Sequence, residues 1–423
     1  MIPSAPHTDR EPGTKIFRHC LIDMRLHLLW LILLALPVSA EPARPVLTLP
    51  MDVYSHGLYL RVSVNNSPPL QFQFDSAAGW HVINWPVAEA AQLKLKEHPS
   101  GAQGAGDSRV RAAQVLEASI RLGALDLPFT PAAAIQLDFV SDRKGITLDG
   151  LLGAPLLKRY VVETNVDEGE FRLYGPANWE YNGSGEELAV RVDGMGVPHL
   201  TAPVWLPDGR TLEAEFKVDS AAGGTTVYFA APYAREHRLL EAIDKSGGRR
   251  LAEEVGGVGG TSLLWIVRIP GIQLGKWKFE NFVAGITEAR GGTLAGDDIA
   301  GIIGGGLLHR FNVIYDCPRN RIFIEPAKGL KEPFEEDMSG IRWLNVGPGR
   351  KEFRVRTVRP GSPAERAGIQ AGDILLRVNG QPASGFDRSS LTRVLRQHGR
   401  QIRLDLRRGE QEIKAEFRLE RMI

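Results

Sequence analysis

The sequence predicts a mainly β, internally duplicated protein: two pseudo-symmetric lobes of short strands, followed by a third, smaller module. Two repeated motifs predict the duplication. The first, Phe74-Asp75-Ser76-Ala77-Ala78-Gly79, recurs as Val218-Asp219-Ser220-Ala221-Ala222-Gly223, with the aspartates 144 residues apart. The second, Gly150-Leu151-Leu152-Gly153, recurs as Gly301-Ile302-Ile303-Gly304, 75 residues after the first aspartate and 82 after the second. Units this long exceed a solenoid repeat and read as a duplicated domain. The third observation is charge. From Ser339 onwards there are 18 basic and 9 acidic residues, a net +9, while residues 41–338 carry −9.

Each aspartate ends an alternating run, Leu70–Phe74 or Glu213–Val218, of the kind that forms a half-buried strand. It then enters a loop of small residues, which let backbone or ligand approach closely. This order of parts resembles the aspartic peptidases of the retropepsin-like and pepsin-like group, over about residues 46–328. The resemblance implies a two-lobed aspartic-protease double barrel, a catalytic pair Asp75 and Asp219, and Ser76 and Ser220 hydrogen-bonded across that pair. Ala77 and Ala221 depart from the family, which has glycine there.

A length of 423 residues allows about three domains at ~100–200 residues each. The overall charge of +1 gives no argument for a nucleic-acid partner. Residues 1–40 read as a signal peptide, with Met24 an alternative start: Arg25 precedes a short apolar run that ends at Val38-Ser39-Ala40. The expected location is periplasmic or secreted, and the alternative is a membrane tether by an uncleaved signal. The processed chain would hold one cysteine, Cys317, so no intramolecular disulfide forms. That suits a bacterial periplasm, and Cys317 reads as simply buried.

The first lobe spans residues 41–180. Leu58–Val64 and Leu70–Phe74 read as strands around a turn at Asn65–Pro69, and Pro86–Leu95 has helical spacing. The stretch 101–108, with Gly104 and Gly106, falls where an aspartic peptidase has its flap; an ordinary loose hairpin is the alternative. His81 reads as a surface or packing residue. The second lobe spans 181–330, joined at Asn182-Gly183-Ser184-Gly185. It repeats the strands, shows a helical stretch near Pro232–Ala242, and places Gly257 and Gly259 at the equivalent flap position, which favours the flap reading. Neither lobe carries a metal-ligand spacing or a phosphate loop, so no metal and no cofactor is expected.

Residues 335–423 resemble a PDZ domain of the bacterial protease-associated kind, on Val355–Gly380 with Pro360-Gly361-Ser362-Pro363-Ala364. The helix Ser390–Gly399, capped by Ser389 or Ser390 and ended by Gly399, would line its groove with Leu391, Val394 and Leu395. Ser339, Gly340 and Ile341 fall at the family's carboxylate-binding loop. The resemblance implies that C-terminal peptides add there as a strand. The charge asymmetry also allows this module to dock on the acidic body. Nothing in the sequence places it over the cleft, so recruitment is the preferred reading.

Two carboxylates within hydrogen-bond distance share one proton, because both cannot ionise at such proximity. One then activates water and the other polarises an amide carbonyl. The reading is an endopeptidase acting on peptide or protein substrates, with a monomeric protease unit because one chain supplies both lobes. The rival is an inactive protease fold serving as a peptide-binding adaptor, since the Ala77 and Ala221 methyls add volume beside the site.

Overall fold

Strands Val161–Asn165 and Phe311–Asp316, one from each lobe, lie side by side at the centre of a six-stranded antiparallel sheet. Its order is Leu47–Pro50, Glu170–Tyr174, Val161–Asn165, Phe311–Asp316, Arg321–Pro326, Glu186–Ala189. Val162 faces Tyr315 and Thr164 faces Val313 across the join. This is a computed structural model describing residues 44–423; the expected signal peptide lies outside the described residues.

Above that sheet, each lobe builds the same crossing. Leu70–Phe74 runs parallel to Gly150–Leu152, with Phe72 opposite Gly150 and Phe74 opposite Leu152. Thr211–Val218 runs parallel to Gly301–Ile303, with Phe216 opposite Gly301 and Val218 opposite Ile303. The short Gly-led strand also pairs antiparallel with His81–Asn84 in one lobe and Val227–Phe229 in the other. Glycine is needed at 301 because its φ is +158° and an added Cβ would lie 1.9 Å from the Tyr228 carbonyl oxygen. Phe72, Phe74, Phe171, Phe216, Phe229 and Tyr315 are fully buried around these crossings. The fold is thus a mainly β, pseudo-symmetric aspartic-protease double barrel with a PDZ domain after it.

Several local expectations need correction. Pro86–Leu95 is not one helix: Trp85–Ala90 is helical, Gln92 turns with φ 51°, and Lys94–Glu97 joins the sheet beside Ala112–Glu117. The stretch near Pro232–Ala242 is two helices, Ala231–Glu236 and Leu239–Lys245, broken where Arg238 takes φ 52°. A helix at Asp138–Lys144, ended by Gly145 at φ 74°, had no sequence signal. His81 is a packing residue: it stacks on Phe129, and its Nδ1 accepts the Gly153 N–H at 3.0 Å. Cys317 is buried, which pushes its thiol up to about 12.

The PDZ sheet runs Ile341–Val346, Glu352–Val358, Ile374–Val378, Gln401–Arg408, Gln411–Arg418, around a core of its own. Its helix is Arg388–Leu395, earlier than expected. Asp387, not a serine, is the cap. Its carboxylate accepts the Ser390 N–H at 2.6 Å, and the Ser390 hydroxyl accepts the Asp387 N–H at 2.9 Å.

Candidate active site

The strand crossings bring the two small-residue loops together. Asp75 N–H donates to the Leu152 carbonyl and Asp219 N–H to that of Ile303, both at 2.9 Å. Between the loops, the Ser76 N–H donates to Ser220 Oγ and the Ser220 N–H to Ser76 Oγ, both at 3.0 Å. The hydroxyls continue across: Ser76 Oγ to the Val218 carbonyl at 2.6 Å, and Ser220 Oγ to the Phe74 carbonyl at 3.0 Å. Both serines are fully buried. Four buried bonds therefore fix one loop against the other, and leaving a single one unmade costs about 1–3 kcal/mol.

The carboxylates are held alike. Asp75 Oδ1 accepts the N–H groups of Ala77 and Ala78 at 3.0 Å, and Asp219 Oδ1 those of Ala221 and Ala222 at 2.9 Å. Burial and the facing Asp219 charge push Asp75 up to about 7, against its two backbone donors. Burial also raises Asp219. Both carboxyls are thus shifted towards the protonated form.

Two side chains without a sequence signal reach the second loop. The Ala221 carbonyl accepts from Lys144 Nζ at 3.0 Å and from Gln73 Nε2 at 3.3 Å. Lys144 is the last residue of helix Asp138–Lys144, and its charge acts on both aspartates.

The glycine-rich segments meet each other. Gly104 and Gly106 N–H both donate to the Val258 carbonyl, at 3.1 and 3.0 Å, and Ser108 N–H donates to that of Gly259 at 2.8 Å. Gly257 abuts Ala105. At Gly106 a Cβ would sit 2.2 Å from the Gly259 carbonyl carbon; at Gly259, where φ is +98°, it would sit 2.1 Å from the Ser108 oxygen. Asp107 closes the contact, accepting from Ser262 Oγ at 2.7 Å and from the Arg290 and Gly291 N–H groups at 3.0 and 3.3 Å.

The PDZ loop is already filled. Asp337 Oδ1 accepts the N–H groups of Ser339 and Gly340 at 2.9 and 3.0 Å, and Ile341 N–H donates to Ser339 Oγ at 3.1 Å. Ser339, Ile341, Leu391 and Leu395 are buried. Arg388 reaches from the helix to the Trp343 carbonyl at 2.9 Å, and burial lowers it to about 10. Helix Asp138–Lys144 packs on strand Ile341–Val346. The Arg388 N–H donates to the Tyr54 hydroxyl at 3.2 Å, and the Ser55 N–H to Ser389 Oγ at 3.0 Å. Arginines of the module meet acids of the body: Arg342 and Arg359 on Glu253, Arg356 on Glu254, Arg350 on Asp142. The strand and helix that flank the groove thus lie against the body, on Tyr54, Ser55 and helix Asp138–Lys144 of the first lobe and on Glu253 of the second, so the module is docked on it.

Two family models match parts of the chain. Residues 60–156 match the aspartyl protease family model, and residues 354–408 match that of the PDZ domain. The first match includes Asp75 and Gly150–Gly153; the second lobe lies outside it and repeats its motifs. The chain is 44% identical over 61 residues to the putative serine protease HhoA of Synechocystis sp., covering 14% of this chain and 15% of that protein. It is 30% identical over 93 residues to the 26S proteasome non-ATPase regulatory subunit 9 of Drosophila melanogaster, covering 21% of this chain and 42% of that protein. The chain therefore spans less than half of either relative. Among solved structures, the photosystem II D1 C-terminal processing protease is 24% identical, covering 20% of this chain and 23% of that one, with a TM-score of 0.19. The protein joins an aspartyl-protease-like domain to a PDZ domain, a module that binds peptides or proteins.

Proposed function

We propose that this chain is an aspartic endopeptidase. The observation that carries the reading is the reciprocal Ser76–Ser220 bonding, which holds two half-buried aspartates in equivalent loops against each other. The ionised member of the Asp75/Asp219 pair takes a proton from water as the oxygen attacks the amide carbon. The protonated member donates to the carbonyl oxygen, giving a neutral tetrahedral diol. On collapse, the carboxyl that took the water proton passes it to the nitrogen, which leaves as the amine, while the other carboxylate takes a hydroxyl proton from the diol, so the pair again holds one proton. No covalent enzyme intermediate forms. The backbone donors from Ala77, Ala78, Ala221 and Ala222 stabilise the ionised form while burial favours the neutral one, and that opposition supports a shared proton. The PDZ module holds peptide C-termini once Asp337 leaves its loop. The proposed compartment, the bacterial periplasm, rests on the pattern of residues 24–40.

Incubation with a mixed peptide library from pH 3 to 8, wild type beside Asp75→Asn and Asp219→Asn, tests the reading. Cleavage by the wild type and by neither variant supports it. Cleavage retained in either variant overturns the dyad. An inert wild type that still binds peptides leaves the adaptor reading standing.

A further inference from the structure

We propose that Lys144 is a positioning residue of this site: its ammonium, anchored on the Ala221 carbonyl, supplies the counter-charge that keeps Asp75 and Asp219 at one shared proton. The kinetic part of this proposal rests on the peptidase reading; the titration part does not.

The geometry is specific. Lys144 Nζ donates at 3.0 Å to the carbonyl two residues beyond Asp219, within the loop that holds that carboxylate. The helix carrying it is fixed on two sides. Arg143 Nη2 donates to the Glu254 carbonyl at 2.8 Å on the second-lobe hairpin, and Asp142 pairs with Arg350 of the PDZ module. Gly145, just after the lysine, lies against Asn345 of the same module. The neighbours of Lys144 are therefore anchored elsewhere, while its own side chain enters the dyad region. Burial disfavours its charge there, and Asp219 and Asp75, in that order, favour it.

The charge balance explains what it does. A buried pair holding one proton carries one negative charge, which one ammonium neutralises. Without the ammonium, the enclosed site favours full protonation and neutrality. Other groups face the site. Lys217 acts on Asp219 from the preceding strand and pairs with Asp298 at 3.9 Å. The Tyr228 hydroxyl donates to the Gly223 carbonyl, and burial raises both Tyr228 and Tyr315, so these phenols stay protonated. Burial lowers His309 to about 3 and its neighbour His56 to about 4, so both stay neutral above that. Between pH 5 and 8 neither these phenols nor these imidazoles mask a titration of the pair.

An ammonium stabilises every ionised form of the pair, so its removal moves both limbs of the pH–rate profile to higher pH. K144M is expected to shift both by roughly half to one unit, while K144R, which keeps the charge, retains the wild-type limbs. Unchanged limbs in a folded K144M overturn the proposal. Should K144M not fold, the wild type carries the test: the Lys144 Nζ nitrogen resonance, assigned by its loss in K144R, follows the carboxyl carbon titration of the pair. A flat Nζ resonance through that titration overturns the proposal even in a protein without peptidase activity.

Discussion

The two lobes repeat one loop but surround it differently. Around the aspartates the copies match: both carboxylates take two backbone donors, both serines bond across, and both loops hang from a Gly-apolar-apolar strand. Outside that shell they diverge. The second lobe's glycine-rich segment is a regular hairpin of strands Arg250–Gly257 and Gly260–Leu274, whereas the first lobe's is a loop closed by a lone bridge between Ala102 and Val110. Gln73 donates to the opposite loop, yet its counterpart Lys217 turns to Asp298 instead. Lys144 comes from the first lobe alone. Hydrogen-bond geometry is thus kept symmetric, while charge is not. The proposed chemistry, in which two carboxylates exchange roles, draws on the first, and the proposed role of Lys144 draws on the second.

The sharpest test of the symmetry is at the carboxylates. Asp75→Asn and Asp219→Asn should each lower kcat by about 1000-fold or more, and the double variant should be no worse, because the pair acts as one unit. Additive losses would show two independent sites. Next come the serines. Ser76→Ala strands the Ser220 N–H and the Val218 carbonyl; Ser220→Ala strands the Ser76 N–H and the Phe74 carbonyl. Each should cost about 1–3 kcal/mol in denaturant unfolding, and a clearly unequal pair of values would break the comparison. At the divergent tips, Asp107→Ala removes the acceptor shared by Ser262, Arg290 and Gly291. Amide exchange near Gly259–Ser262 should quicken about fivefold, as one net hydrogen bond is worth about 1 kcal/mol; unchanged exchange would mean the tips hold without it.

The smallest effect concerns docking. Burial pushes the Glu253 carboxyl up, but Arg342 and Arg359 more than offset this and hold it below its ordinary range. A depressed carboxylate contributes stability above its unfolded value and loses it as pH falls through the folded one. Glu253→Gln should therefore lower stability by about 1 kcal/mol at pH 7 and less in acid. A loss that grows on acidification would assign the effect to packing instead.

Much of this was legible because duplication writes a site twice. The 144-residue offset marked both aspartates and both serines, and the glycine pairs marked the meeting segments. Lys144 was not legible: it ends a seven-residue helix too short for a periodic signal, and its partner is a backbone carbonyl, which any sequence supplies. Asp337 was hidden differently. In Glu335-Glu336-Asp337 nothing sets it apart from its acidic neighbours, yet an aspartate two residues ahead of free N–H groups folds back on them. At the residues expected to hold a carboxylate, Ser339 to Ile341, the N–H groups are taken by the chain itself. The early start of the PDZ helix follows from Asp387 and Ser390 capping each other, which outweighed the serines as sole candidates.

The join between Val162 and Tyr315 also bears on how the chain is made. Its partners are separated by about 150 residues of sequence, and contacts that distant form late, after the loop-closure entropy between them has been overcome. A growing chain completes its N-terminal half first. At that stage Asp75 stands alone, and the Ser76 N–H lacks the hydroxyl that will receive it. The half-made protein therefore lacks the paired loops; they meet only when the last strands of the shared sheet arrive.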